Sequence, residues 1–211
     1  MAEYFGNQGP FSNFPDKHTI LAKVKDVIAR AEAEDRESSQ FRVRMLVGED
    51  GNISCTVTPE PIRPSGSAPL KVVLDTEPID REASHSFFLT HKTTFRAVYD
   101  AARRRHSVSL TDPQKPFDVV LYNSKGQITE TTIANIAVQL SDDNGELRWY
   151  TPSVECGLLG GTMRRYLLDQ GEILERAITK QEFIKAAKEG RGIRCFNSVR
   201  KVYDVILVSD Q

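Results

Sequence analysis

The sequence predicts an α+β protein in two parts, a small one from residue 1 to about residue 86 and a larger one from about residue 90 to residue 211. Two observations carry that reading. Near the start, a helical apolar stripe is followed by runs that alternate with the period of strands; near Phe87 the pattern begins again with a second helix and a longer series of strand-like runs. In the first part, Asp16 can cap a helix from Lys17 to about Glu37, because Ile20, Leu21, Val24, Val27, Ile28 and Ala31 recur on one face. "FRVRMLVGEDGNISCTVTPE" reads as two strands turning at Glu49-Asp50-Gly51, and "LKVVLDTEPID" as a third strand of the same small antiparallel sheet. The Pro/Ser/Gly stretch "PEPIRPSGSAP" between them is a loop.

In the second part, "HKTTFRAVYDAARRR" places Phe95, Val98, Tyr99 and Ala102 at helical spacing, and a proline-rich loop follows at 111–116. "FDVVLYN", "TTIANIAVQL" and "ELRWYT" read as three strands of an antiparallel meander, with turns at 123–126 and 142–145. Gly160-Gly161 opens a helix to about Leu168, Thr179 and Glu182 form a capping box ahead of "FIKAAKE", and "IRCFNSV" and "VYDVILV" supply two closing strands.

Twenty-eight basic residues stand against 29 acidic ones, so the charge balance gives no case for a nucleic-acid or membrane-surface partner and points to a small-molecule ligand. Cys55, Cys156 and Cys195 are widely spaced without a CxxC pair, which argues against a disulfide scaffold or a zinc site; no metal is expected, and a reducing compartment fits. The opening residues carry neither the basic nor the apolar part of a secretory leader, and no run approaches a membrane span, so the expected location is cytoplasmic.

Four segments carry residues with chemical potential. Lys92 sits between an apolar stretch and a helix, where partial desolvation would lower its pKa as an imine-forming amine requires; a solvated lysine in a first helical turn is the plainer reading. Glu130 lies in a threonine-rich strand region, where a buried carboxylate needs a cationic or proton-bearing partner, unless it forms a surface cross-strand pair. Gly160, Gly161 and Thr162 at a helix start can hold a phosphate through free N–H groups and a hydroxyl, or form an ordinary glycine turn. Asn197 and Ser198 end a strand, where the hydroxyl could add a phosphate contact, or the pair could simply turn the chain.

Taken together, "HKTTFRAVYD", "LYNSKGQITETTIANIAV", "TPSVECGLLGGTMRRYLL", "GEILERAI" and "FNSVR" resemble the class IV aminotransferase family, pyridoxal-phosphate enzymes of fold type IV, over about residues 41–208. Within it the pattern looks most like the 4-amino-4-deoxychorismate lyases, which make 4-aminobenzoate and pyruvate on the way to folate. The resemblance implies a two-domain fold of the D-amino acid aminotransferase type, with pyridoxal 5'-phosphate in the cleft between the domains and a homodimer as the assembly. It also assigns roles. Lys92 matches the lysine that carries the cofactor, and Glu130 the glutamate facing the pyridine nitrogen. Gly161 and Thr162 match the phosphate cradle, and Ser198 the hydroxyl on the late strand. Arg96, four residues after Lys92, matches a lyase spacing and implies either a substrate-carboxylate contact or a structural role. Two other readings share these residues: a branched-chain, D-amino acid or amine transaminase, and a non-catalytic relative that no longer holds the cofactor. The family's early arginine segment has no match, and "MAEYFG" resembles the end of the helix that follows it, so the resemblance implies an amino-terminally short small domain.

Overall fold

A computed structural model describes residues 14–60, 67–79 and 89–209; "MAEYFG" and Phe87 lie outside them. The chain divides into two compact units, Met1–Ser67 and Ala68–Gln211.

In the first unit, helix α1 (Lys17–Glu34) begins where expected: the Asp16 side chain accepts from the backbone N–H of Thr19 at 2.7 Å. It ends about a turn earlier than the periodicity suggests, and Asp35 takes over the chain by accepting from the backbone of Glu37 and Ser38. Strands β1 (Phe41–Val47) and β2 (Ile53–Pro59) pair antiparallel, Val47 opposite Ile53 and Phe41 opposite Pro59. The tight turn is closed by Asp50, which accepts from the backbone N–H of Asn52, and by Gly51, whose φ of 80° suits glycine. Strict alternation leaves Phe41, Val43, Met45 and Val47 half-buried on one face and their neighbours exposed on the other.

The second unit holds an eight-stranded mixed sheet. Its strands are β3 (Leu70–Leu74), β4 (Asp118–Tyr122), β5 (Ile128–Thr131), β6 (Asn135–Ser141), β7 (Leu147–Pro152), β8 (Leu174–Arg176), β9 (Ile193–Asn197) and β10 (Lys201–Leu207). Their spatial order is β5-β4-β3-β10-β9-β6-β7-β8. The strand expected to be the third of the small sheet is β3, and it lies instead in this large sheet, parallel to both β10 and β4. Its run "LKVVL" is nearly continuously apolar because both of its faces are covered. Alternate side chains of β3 and β4 feed two cores: Val72, Val120 and Tyr122 join one with Ile128, Phe183 and Ala186, while Val73, Val119 and Leu121 join the other with Tyr99 and Ala102. Helix α2 (Ala97–Arg105) therefore covers one face and α4 (Lys180–Lys188), with its Thr179–Glu182 capping box, the other. Helix α3 (Thr162–Asp169) seats Leu167 against Ala137 and Phe196.

The expected meander is also corrected. "TTIANIAVQL" is not one strand: the chain breaks at 132–134, β5 pairs with β4 at one edge of the sheet, and β6 pairs with β7 and β9 far along it. Buried polar groups cause the break. The Thr131 hydroxyl donates to the Ala134 carbonyl and accepts from the Ala134 N–H, while Asp118 accepts from both the backbone N–H and the hydroxyl of Thr132. Side chains that satisfy their own turn in this way compete with a continuous ladder. Among the described residues no helix is long and apolar enough to cross a membrane.

Candidate active site

The break between β5 and β6 opens one wall of a cavity of about 300 Å³. The segment before α2 brings His91, Lys92, Phe95 and Arg96 to it; β5 and the break bring Glu130 to Asn135; the start of α3 brings Gly160 to Met163; and the turn after β9 brings Asn197 to Val199. Lys92, Arg96, Glu130, Gly161, Thr162 and Ser198, scattered along the sequence, thus line one space within the second unit.

Glu130 is 5% exposed and hydrogen-bonded at both oxygens. The Tyr99 hydroxyl donates to Oε1 at 2.8 Å, and the Asn135 amide donates to Oε2 at 3.4 Å. Burial nevertheless dominates, raising its pKa from 4.5 to about 8 against the opposing pull of the Tyr99 hydroxyl, the Leu159 backbone and the charge on Lys92. The surface cross-strand pair is excluded by this burial. Tyr99, the donor, is itself held by burial and by its carboxylate neighbour so that its proton is very hard to remove.

Lys92 faces the solvent of the cavity, yet protein atoms gathered about its ammonium lower its pKa; the Arg96 guanidinium adds to the effect and Glu130 opposes it. A lysine poised in this way has its amine available nearer neutrality than an ordinary one. Arg96 is fixed on three sides. Its Nη2 donates to the Thr132 carbonyl at 2.6 Å, its guanidinium carbon lies 4.9 Å from the centroid of the Tyr99 ring, and its Nε is 3.8 Å from Asp100.

The wall at α3 is built from backbone. Gly161 is the N-cap, and no side chain caps the helix, so the first-turn N–H groups and the exposed Thr162 hydroxyl are the donors that this wall offers an anion. Gly161 has an ordinary φ of −62°; glycine suits the position because a Cβ there would run into Oδ1 of Asn135, which would have to shift. In the turn after β9, Asn197 accepts from the backbone N–H groups of Val199 and Arg200 and donates to the Ile133 carbonyl, so its role is to shape the turn. Ser198 beside it is exposed and lines the cavity.

Sequence reasoning passed over three contributors. Tyr99 reads as one more apolar position of the α2 stripe, and only its hydroxyl bond to Glu130 distinguishes it. Asn135 opens a strand, where asparagine is uncommon. Asp118 reads as a strand residue but is 1% exposed and anchors Thr132, with Arg103 donating to both of them at 3.2 and 2.9 Å.

This donor set suits a phosphorylated pyridine aldehyde: an amine of lowered pKa, a buried carboxylate, and a helix start bare toward an anion. The Amino-transferase class IV family model matches residues 11–208. The chain belongs to the class IV aminotransferase family. A Schizosaccharomyces pombe relative of this class IV chain, named "Putative aminodeoxychorismate lyase", is 33% identical over 198 residues, 93% of this chain and 76% of that protein. The "Aminodeoxychorismate lyase" of Saccharomyces cerevisiae is 28% identical over 77% of this chain, which spans about half of that protein, 50%. Among solved structures, the pyridoxal-phosphate-bound form of a hypothetical aminotransferase from Mycobacterium tuberculosis superposes with a TM-score of 0.67 at 20% identity, covering 93% of this chain and 70% of that one. The class IV chain thus has the fold type IV architecture.

Proposed function

We propose that the protein is a pyridoxal-phosphate-dependent lyase that converts 4-amino-4-deoxychorismate to 4-aminobenzoate and pyruvate. The observation that carries this is the meeting of Lys92, buried Glu130 and the uncapped start of α3 around one cavity; the names of the two yeast relatives support the lyase over its alternatives. Lys92 would carry the cofactor covalently, Gly161, Thr162 and Ser198 would hold its phosphate, and Glu130 would face its ring nitrogen. When bound, pyridoxal phosphate supplies an electron sink for the bonds of the amine-bearing carbon.

Glu130 keeps a proton at the ring nitrogen: a carboxylate in so little water favours a shared proton, and Tyr99 and Asn135 fix its orientation. Lys92 would take the proton from the substrate carbon that bears the amine, its lowered pKa leaving more of it in the basic form. The bond from the ring carbon to the enolpyruvyl oxygen then breaks, the ring becomes aromatic, and the departing enolpyruvate takes a proton from Lys92 to become pyruvate. Arg96, anchored through Nη2 and the Tyr99 ring, offers its remaining donors to a substrate carboxylate. By family resemblance the enzyme is read as a homodimer, which light scattering of the purified protein tests, and a cytoplasmic location remains the expectation.

The deciding experiment mixes purified protein with pyridoxal phosphate, records the visible absorbance beside that of Lys92→Ala, and then adds 4-amino-4-deoxychorismate. A band present in wild type and absent from the variant, followed by release of pyruvate, supports the lyase. A band with amino transfer to a keto acid and no pyruvate makes it a transaminase, and no band in either makes it a non-catalytic relative.

A further inference from the structure

We infer that Asn135 is a positioning residue that couples two walls of the cavity, setting the start of α3 against the Glu130 carboxylate; its role toward a cofactor rests on the reading proposed above. Asn135 is 6% exposed and is the first residue of β6, just past the break that opens the cavity. Its single amide group touches three things. Nδ2 donates to the Leu159 carbonyl at 2.8 Å and, at the longer distance of 3.4 Å, to Oε2 of Glu130. Oδ1 occupies the space that a side chain on Gly161 would need, 2.3 Å from the position of its Cβ.

Leu159 and Gly161 flank Gly160, so the amide braces both sides of the turn that delivers the backbone donors of α3. The Leu159 backbone in turn favours the charged form of Glu130. A displacement of the Asn135 head group must therefore be felt twice, as a shift of the helix start and as a lost donor at the carboxylate. The same displacement can be produced from the opposite side, because Gly161→Ala drives a methyl group into Oδ1.

The test uses cofactor-free protein, with inorganic phosphate as the probe of the helix start and calorimetry as the readout. The Glu130 titration is read separately, from the pH dependence of the melting temperature relative to the same variant carrying Glu130→Gln. Asn135→Ala is expected to weaken phosphate binding by about five- to tenfold, the worth of one ordinary hydrogen bond at the helix start, and to move the Glu130 transition to higher pH. Gly161→Ala, which removes no atom of Asn135 but displaces its head group, should do both as well. In a Glu130→Gln background the phosphate effect persists and the pH effect vanishes. Variants that melt earlier but keep wild-type phosphate affinity and an unmoved Glu130 transition would reduce Asn135 to a packing residue and overturn the inference. The Glu130 readout needs no ligand. A wild type that bound neither phosphate nor pyridoxal phosphate would remove the cofactor reading, and the response of Glu130 to Gly161→Ala would still decide the coupling.

Discussion

Glu130 and Thr162 line the same cavity and are made of opposite materials. Glu130 is buried, its two oxygens are each given a donor, and behind it stand buried Tyr99, Asp118 and Thr132 with half-buried Arg103. Thr162 is exposed and heads a helix whose first turn no side chain caps. The first wall buries an ionisable carboxyl where folding alone would not put one, which suits a ligand that shares a proton. The second is a general anion site whose donors come with any helix. On the proposed function, selectivity for the chemistry would reside in the carboxylate wall, and retention of the ligand in the helix wall.

The largest expected effect that separates them is on turnover. Glu130→Gln keeps the shape but loses the ionisable proton and one acceptor; it should lower the rate of pyruvate release by about 10²-fold or more while leaving phosphate affinity unchanged. Equal losses in both would mean that the walls are not separate. The next effect is on stability. Because Glu130 has a folded pKa of about 8 against an ordinary 4.5, the folded state binds its proton more tightly than the unfolded chain. That contribution is fully present below about pH 4.5 and is lost as pH rises through 8. Cofactor-free wild type should therefore lose melting temperature across this window relative to Glu130→Gln; parallel pH profiles would show that the carboxylate is not desolvated as described. The smallest effect belongs to the helix wall. Thr162→Ala removes one hydroxyl among several backbone donors and should weaken phosphate binding by about fivefold, with little change in the turnover of saturated enzyme.

The same contrast explains what could be read in the sequence. The helix wall was legible because glycines before a helical stripe have a local meaning, as do the Asp16 and Thr179 caps, both of which the structure reproduces. Lys92 and Glu130 stood out only through their company along the chain; their meeting is a product of the fold. What escaped was non-local. β3 carries the right strand pattern, but nothing in five residues says that its partners are β4 and β10. In "TETTIANIAV" the β-branched threonines argue for an unbroken strand, whereas their hydroxyls, with Asp118 supplying an acceptor from β4, end it and open the cavity. Tyr99 and Asn135 were hidden for a related reason: each fits a secondary-structure pattern, and its working atom points at a group distant in sequence or across a turn.

The position of β10 has a consequence for synthesis. The strand latest in the described chain is fourth of eight in the sheet, inserted between β3 and β9. Until β10 pairs, β3 and β9 present unpaired edges toward the gap that it fills, and exposed edges of this kind recruit other chains. The cavity's walls lie on both sides of that gap, β5 at one margin of the sheet and β6 beyond β9. A chain cut short at residue 200 should therefore be cleaved readily by protease and fail to bind ligand, whereas one that extends through residue 207 should resist, so that the capacity to bind ligand arrives with β10 rather than building up strand by strand.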